Sequence, residues 1–280
     1  MTTKVAVVGA TGKLGRLISG LVEESPEFEL VAALDSRSTL DDMLVADLVV
    51  DVTIPGVTQK VVEFAVANGK NVLIGTSGWS ADRIAGLRRS LGDEPASGIV
   101  VIPNFSLGSV LATSFAAMAS RYFDSIEIIE THASTKVDSP SGTAVRTAEL
   151  MGAARAALGP VAAPHTDQRA RGQQVASIPI HSLRLNGIVA KQDVVFGGTG
   201  EVLTITHETI SPSAYTAGIG VALTAAATAR GVIVGLDQLI GLGGQAGSAA
   251  QDDASGTPAP TDPDPENVSG QAATATSVHP

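Results

Sequence analysis

The residues best suited to chemistry lie in one run, ETHASTKVDSPSGTA, from Glu130 to Ala144, which reads as a strand end, a loop and the start of a helix. A histidine such as His132 can protonate a developing carbanion near neutral pH, and Lys136 can hold an anionic substrate or lend a proton. Ser141, Gly142 and Thr143, at a helix N-terminus, offer N–H groups and hydroxyls to a carboxylate. Taken alone, the same residues read equally well as a strand-end histidine, a solvated lysine and an ordinary helix cap.

A second run, Gly9-Ala10-Thr11-Gly12-Lys13-Leu14-Gly15, directly follows the buried-strand pattern KVAVV and opens a helical pattern. Gly9 permits a tight turn, Gly12 lets the backbone approach a pyrophosphate, Gly15 allows close helix–strand packing, and the helix start supplies unpaired N–H groups. The spacing is G-x-x-G-x-x-G rather than the strict G-x-G-x-x-G, so its position between strand and helix carries the argument. Asp35 ends the next strand pattern, where a carboxylate accepts hydrogen bonds from the adenosine ribose hydroxyls. Arg37 nearby suits a 2′-phosphate, so the cofactor reads as NADH or NADPH, with Asp35 leaning toward NADH. Gly75, Thr76 and Ser77, and likewise Pro103, Asn104 and Phe105, each follow a predicted parallel strand at the edge where open α/β sheets bind ligands, although ordinary loops also sit there.

The elements that must position these residues follow from periodicity. Up to about residue 104, short Val/Ile runs near 4–8, 28–34, 47–53, 71–75 and 99–102 alternate with helical patterns at 13–24, 56–68 and 80–91, the signature of repeated βα units. Beyond it the rhythm changes to a helix (107–122), a strand (125–132), a helix (141–157) and three strands near 176–184, 188–196 and 201–208. Short glycine-containing turns join those three, which are therefore expected to be antiparallel. The fold class is α/β, a Rossmann-type doubly wound parallel sheet plus an α+β substrate and oligomerisation domain with a mostly antiparallel sheet. The expected boundaries are 1–104 for the dinucleotide domain, completed by a helical return at 212–242, and 105–211 for the second domain. Residues 243–280 are poor in large apolar side chains and are expected to be a disordered acidic tail.

Composition narrows the function. Aromatic residues make up 3% of the chain against 44% hydrophobic, so the core must be Val, Ile, Leu and Ala. Cysteine is absent and the five histidines show no paired spacing, so neither a disulfide framework nor a metal site is expected. The net charge of −10 includes five carboxylates after residue 242, leaving −5 for the rest, which disfavours nucleic acid as a partner. With no apolar run fit to span a membrane and no signal-peptide pattern, the chain is read as cytoplasmic.

The segments GATGKLGR, IGTSGW, IPNFSLGSVL, EIIETHASTKVDSPSGTA and VGLDQLIGL resemble, in order and separation, those of the bacterial dihydrodipicolinate (4-hydroxy-tetrahydrodipicolinate) reductases of lysine biosynthesis, over about residues 1–242. The resemblance implies a homotetrameric oxidoreductase that reduces a cyclic unsaturated dicarboxylate. It implies His132 as proton donor, Lys136 assisting at the ring nitrogen or a carboxylate, and Gly142 and Thr143 binding a substrate carboxylate. It also implies dinucleotide contacts from 9–15, 75–77 and 103–105. Ala133 stands where the family usually has a second histidine. Other readings are a reductase for a different imine or carbonyl acid, and a nucleotide-binding regulatory protein without turnover.

Overall fold

A computed structural model describes residues 2–242; the expected acidic tail lies outside the described residues. Strands β1 (Thr3–Val8), β2 (Phe28–Leu34), β3 (Leu48–Asp51), β4 (Asn71–Ile74), β5 (Gly98–Val101) and β11 (Gly231–Val234) form one parallel sheet in the order β11-β5-β4-β3-β1-β2. Every residue of β3, β4 and β5 is buried. That is why these strands read as unbroken apolar runs rather than alternations. Alternate residues feed two cores. Val5, Val7, Val50 and Leu73 pack toward α1 (Lys13–Glu24) and α6 (Thr216–Thr228), whereas Ala6, Val49, Val72 and Ile74 pack toward α2 (Thr58–Ala67) and α3 (Ala81–Leu91).

The chain runs from β1 to β2 on one side and then crosses to β3 on the other, so the order reverses between β1 and β3. The crevice outside the carboxyl ends of those strands is where such sheets bind ligands. Both the glycine-rich loop at 9–12 and the Val52-Thr53 segment open there.

The second sheet has the order β10-β9-β6-β8-β7, built from β6 (Ser125–Ala133), β7 (Gln173–Val175), β8 (Ile178–Leu185), β9 (Ala190–Gly198) and β10 (Glu201–Thr209). Ile126, Ile128, Ile180, Val194 and Phe196 form its inner face against α4 (Leu107–Ala119) and α5 (Gly142–Ala154). One expectation is corrected here. β9 and β10 form the antiparallel hairpin expected, but β8 and β9 are not neighbours, because β6 lies between them, parallel to β8 and antiparallel to β9. The four residues 186–189 suffice to reach across two strand spacings, about 9.6 Å, so a short glycine-containing link did not require a hairpin. The three-residue β7 and the edge strand β11 have no counterpart in the periodicity analysis.

Asn71 ties the return of the chain to the parallel sheet. Its buried amide donates to the Ala226 and Ala227 carbonyls of α6, both at 2.9 Å, and accepts from the Gly98 N–H at 2.9 Å. Asn71→Ala takes a partner from three backbone groups, two of them in buried contacts, and a buried group left unsatisfied costs about 1–3 kcal/mol. The substitution should therefore lower unfolding free energy by roughly 2 kcal/mol or more, read from the urea midpoint at unchanged slope.

Candidate active site

The two sheets meet along a cleft of about 740 Å³. One wall is the carboxyl edge of the parallel sheet. There Gly9 takes φ +92°, and a Cβ at that position would lie 2.5 Å from the Val52 carbonyl oxygen. At Gly15 a Cβ would run into the Gly9 carbonyl. Both glycines are thus required by backbone packing between β1, α1 and β3. Gly12 is the N-cap of α1 and supplies no side-chain cap, so the first-turn N–H groups lack a side-chain acceptor and suit an anion. Lys13 and Leu14 line the cleft. Ala10 and Thr11 complete the loop, with Arg16 donating back to the Thr11 carbonyl.

Gly75, Pro103, Asn104 and Phe105 line the same wall. Gly75 leaves room for the Phe105 ring, since a Cβ there would stand 2.8 Å from Cε2. Asn104 is held by the Ser106 N–H and by the Ser109 hydroxyl, both at 2.9 Å. Thr76 is buried and donates to the Asp51 carbonyl at 3.3 Å, while Ser77 is exposed. Asp35 does not line the cleft. Its carboxylate accepts from the Arg37 N–H at 2.8 Å and from the Arg37 guanidinium at 2.9 Å, and the Arg37 contacts hold it below the usual carboxylate range.

The other wall is the inner face of the second sheet, which changes character along its length. Through Ile128, Val194, Ile180 and Ile205 it is apolar, and two residues further on it turns polar. Glu130 there stands beside Gln192, which stands beside His207. In the next rung His132 lies between Arg184 and Ala190. Glu130 is fully buried and accepts four hydrogen bonds. His132 Nδ1 approaches at 2.6 Å, the two Arg184 amino groups each at 2.9 Å, and the Ser141 N–H at 3.2 Å. Burial alone would push its carboxyl up, but the Arg184 guanidinium, aided by Ser182 and then His132, outweighs that and holds it below the ordinary value.

With Nδ1 occupied, His132 has Nε2 left for a ligand. Ser141 caps α5, accepting from the Ala144 N–H at 3.2 Å, and together with Thr143 it lines the cleft. Gly142 begins the helix between them. Lys136 is not at the cleft wall; its ammonium lies 2.7 Å from Asp138 Oδ1. Ala133 falls on the opposite face of β6 from His132 by strand alternation.

Glu130, Gln192, His207, Thr209 and Tyr215 did not emerge as site residues from the sequence, yet all but Glu130 line the cleft and Glu130 holds His132. The available signal was the alternation E-x-H, which puts Glu130 on the same strand face as His132. Arg184 shares that face, whereas His181 points the other way and contacts Glu127 at 2.7 Å.

Comparison with known proteins decides the kinship. The family model of the dihydrodipicolinate reductase N-terminus matches residues 3–105, and that of the C-terminus matches 108–240. The chain belongs to the dihydrodipicolinate reductase family. As a member it is an NAD(P)H-dependent oxidoreductase. It is 67% identical over 279 residues to the 4-hydroxy-tetrahydrodipicolinate reductase of Clavibacter michiganensis, covering 99% of this chain and all of that one. With the same-named protein of Streptomyces griseus the identity is 41%, over 85% of this chain and 98% of the relative. A dipicolinate-bound dihydrodipicolinate reductase from Paenisporosarcina superposes with a TM-score of 0.73 at 29% identity, covering 85% of this chain and 99% of that one.

His207 contributes to the pH dependence of stability. Burial lowers its pKa, and its Nε2 lies 3.2 Å from the Ser106 hydroxyl. Unfolded, a histidine takes up a proton as pH falls through about 6.5, whereas folded His207 resists until lower pH. The unfolded state then binds more protons, so this group makes stability fall as pH drops below about 6.5. His207→Gln should flatten that part of the dependence of urea midpoint on pH between about 7 and 5; an unchanged slope would assign the loss to other groups.

Proposed function

We propose that the protein reduces 4-hydroxy-tetrahydrodipicolinate to tetrahydrodipicolinate with NADH or NADPH, in the diaminopimelate and lysine pathway. The observation that carries this reading is His132, fixed through Nδ1 on a buried carboxylate, in one cleft with the glycine-rich turn and the α5 N-terminus. The loop fits a dinucleotide, because Gly12 leaves the start of α1 without a side-chain cap and its first-turn N–H groups free for a pyrophosphate. When bound, the dinucleotide supplies the hydride. Loops 9–15, 75–77 and 103–105 would hold it along the parallel-sheet wall.

His132 holds the proton at Nε2 and delivers it to the carbon or nitrogen that becomes electron-rich. Ser141, Gly142 and Thr143 hold a substrate carboxylate with N–H groups and a hydroxyl, and the helix N-terminus adds favourable partial charge. Lys136 joins them by exchanging Asp138 for the substrate. This shared carboxylate set takes the place of a second histidine at Ala133.

The same reading puts nucleotide binding in 1–104 together with 212–242, and substrate binding and assembly in 105–211. A homotetramer is supported by the outer face of the second sheet, where Leu183 is 40% and Leu185 47% exposed. Among the described residues no helix is long and apolar enough to cross a membrane; a cytoplasmic location is part of the proposed reading.

His132→Ala should lower kcat roughly 10²-fold or more, the usual worth of general acid catalysis, in an assay of NADH and NADPH oxidation with enzymatically generated substrate. Near-normal kcat would remove His132 from the donor role. Wild-type protein that binds NADH without substrate-dependent oxidation would favour the regulatory reading. Cofactor choice rests on the Asp35–Arg37 pair, in which the Arg37 side chain is 89% exposed and free to turn toward a 2′-phosphate. Asp35→Ala should weaken NADH more than NADPH, and Arg37→Ala the reverse, in fluorescence titrations; equal losses for both cofactors would make the pair structural.

A further inference from the structure

This inference deepens the proposed reaction and rests on His132 as its proton donor. Glu130 does not line the cleft, so any part it plays must pass through its neighbours. Its surroundings are nevertheless unusual for a carboxylate. It has no solvent contact, and its two oxygens meet four donors, as many as their lone pairs can take. Saturated in this way, it is poorly placed to take or give a proton itself. The donors come from three separate segments: His132 on β6, Arg184 on β8, and the Ser141 N–H at the start of α5. Arg184 also donates to the Asp138 carbonyl at 2.6 Å, in the loop that leads to Ser141.

We propose that Glu130 is the positioning residue of this reductase, holding one proton of His132 on Nδ1 so that the proton the ring delivers is the second one, on Nε2 facing the cleft, while keeping the start of α5 in place opposite it. The hydrogen bond on one imidazole nitrogen decides which nitrogen faces the ligand and how the ring is turned. Because the same carboxylate also binds Ser141, the proton donor and the carboxylate-holding N-terminus share one anchor. Replacing Glu130 by glutamine puts an NH₂ where only acceptors fit. At either oxygen position it meets an Arg184 amino group, together with the His132 Nδ1–H at one and the Ser141 N–H at the other, so the contact that fixes the ring or the one that fixes α5 is lost.

The test uses full-length protein with ¹⁵N-labelled histidine, assigned by comparison with His132→Ala. In the wild type, His132 should show a protonated, exchange-protected Nδ1, and Glu130→Gln should lose that signature. The kcat of Glu130→Gln should fall about 10²-fold, the size of effect expected when a general acid is misplaced, with NADH and NADPH affinities within about twofold of wild type because the nucleotide loops are untouched. In a His132→Ala background, Glu130→Gln should cost little more, since the two residues act as a unit; Glu130→Asp should recover part of kcat. An equal loss in both backgrounds, or wild-type kcat in Glu130→Gln, would overturn the proposal while leaving the role of His132 to its own variant. Should Glu130→Gln fail to fold, the wild-type spectrum decides: an unprotonated Nδ1 on His132 overturns the proposal. That measurement needs no turnover, so an inactive wild type would count against the reaction and not against the positioning.

Discussion

A carboxylate with no access to water is tolerated only where donors replace its hydration shell, and Glu130 meets that demand with Arg184, His132 and the Ser141 N–H. The demand shapes everything near it. Arg184 must lie on the strand beside β6, which the parallel β6–β8 pairing secures. Ser141 must stop where its N–H reaches Oε1, which sets the start of α5. Loss of Arg184 would leave buried charge unpaired, and loss of His132 or the Ser141 N–H a buried lone pair unfilled, so the residues of the polar wall depend on one another far more than their sequence separation suggests.

Around this centre the architecture is a division of labour between two sheets. The parallel sheet, buried on both faces, supplies a rigid edge of glycine turns where backbone N–H groups face outward. The mixed sheet buries one face against α4 and α5, and only its final rungs turn polar. The cleft forms where the reversal of strand order in the first meets the polar end of the second. A reductase needs both halves there, because hydride and proton must reach neighbouring atoms of one substrate.

Much of the parallel half was legible because its signals are local. Apolar runs such as LVV and GIVV sit between helical periods, and the turn at 9–15 follows directly from a buried strand. His132 and the Ser141–Thr143 start were equally visible, each being a residue type with chemistry at an element boundary. Glu130 was not, since its importance comes from Arg184, 54 positions away, and from burial that a charged residue in a strand does not announce. The insertion of β6 between β8 and β9 was hidden for the same reason: periodicity reports which face of a strand is buried, and not which strands are neighbours. Asp35 was correctly placed at the end of β2, but its pairing with Arg37 two residues on shows that one acidic residue at a strand end does not determine which dinucleotide is read.

The parallel sheet is not contiguous in sequence, for α6 and β11 arrive only after the whole of the second sheet. During synthesis the first hundred residues leave the ribosome with one side of their strands, including Val5, Val7, Val50, Leu73 and Val100, deprived of the helix that will cover it. That side stays sticky until roughly 120 further residues have been made, at translation speeds of about 5–20 residues per second several seconds or more. The nascent chain therefore has a built-in interval in which chaperone capture competes with aggregation. A stop after β10 would yield a product in which α1 but not α6 covers this face.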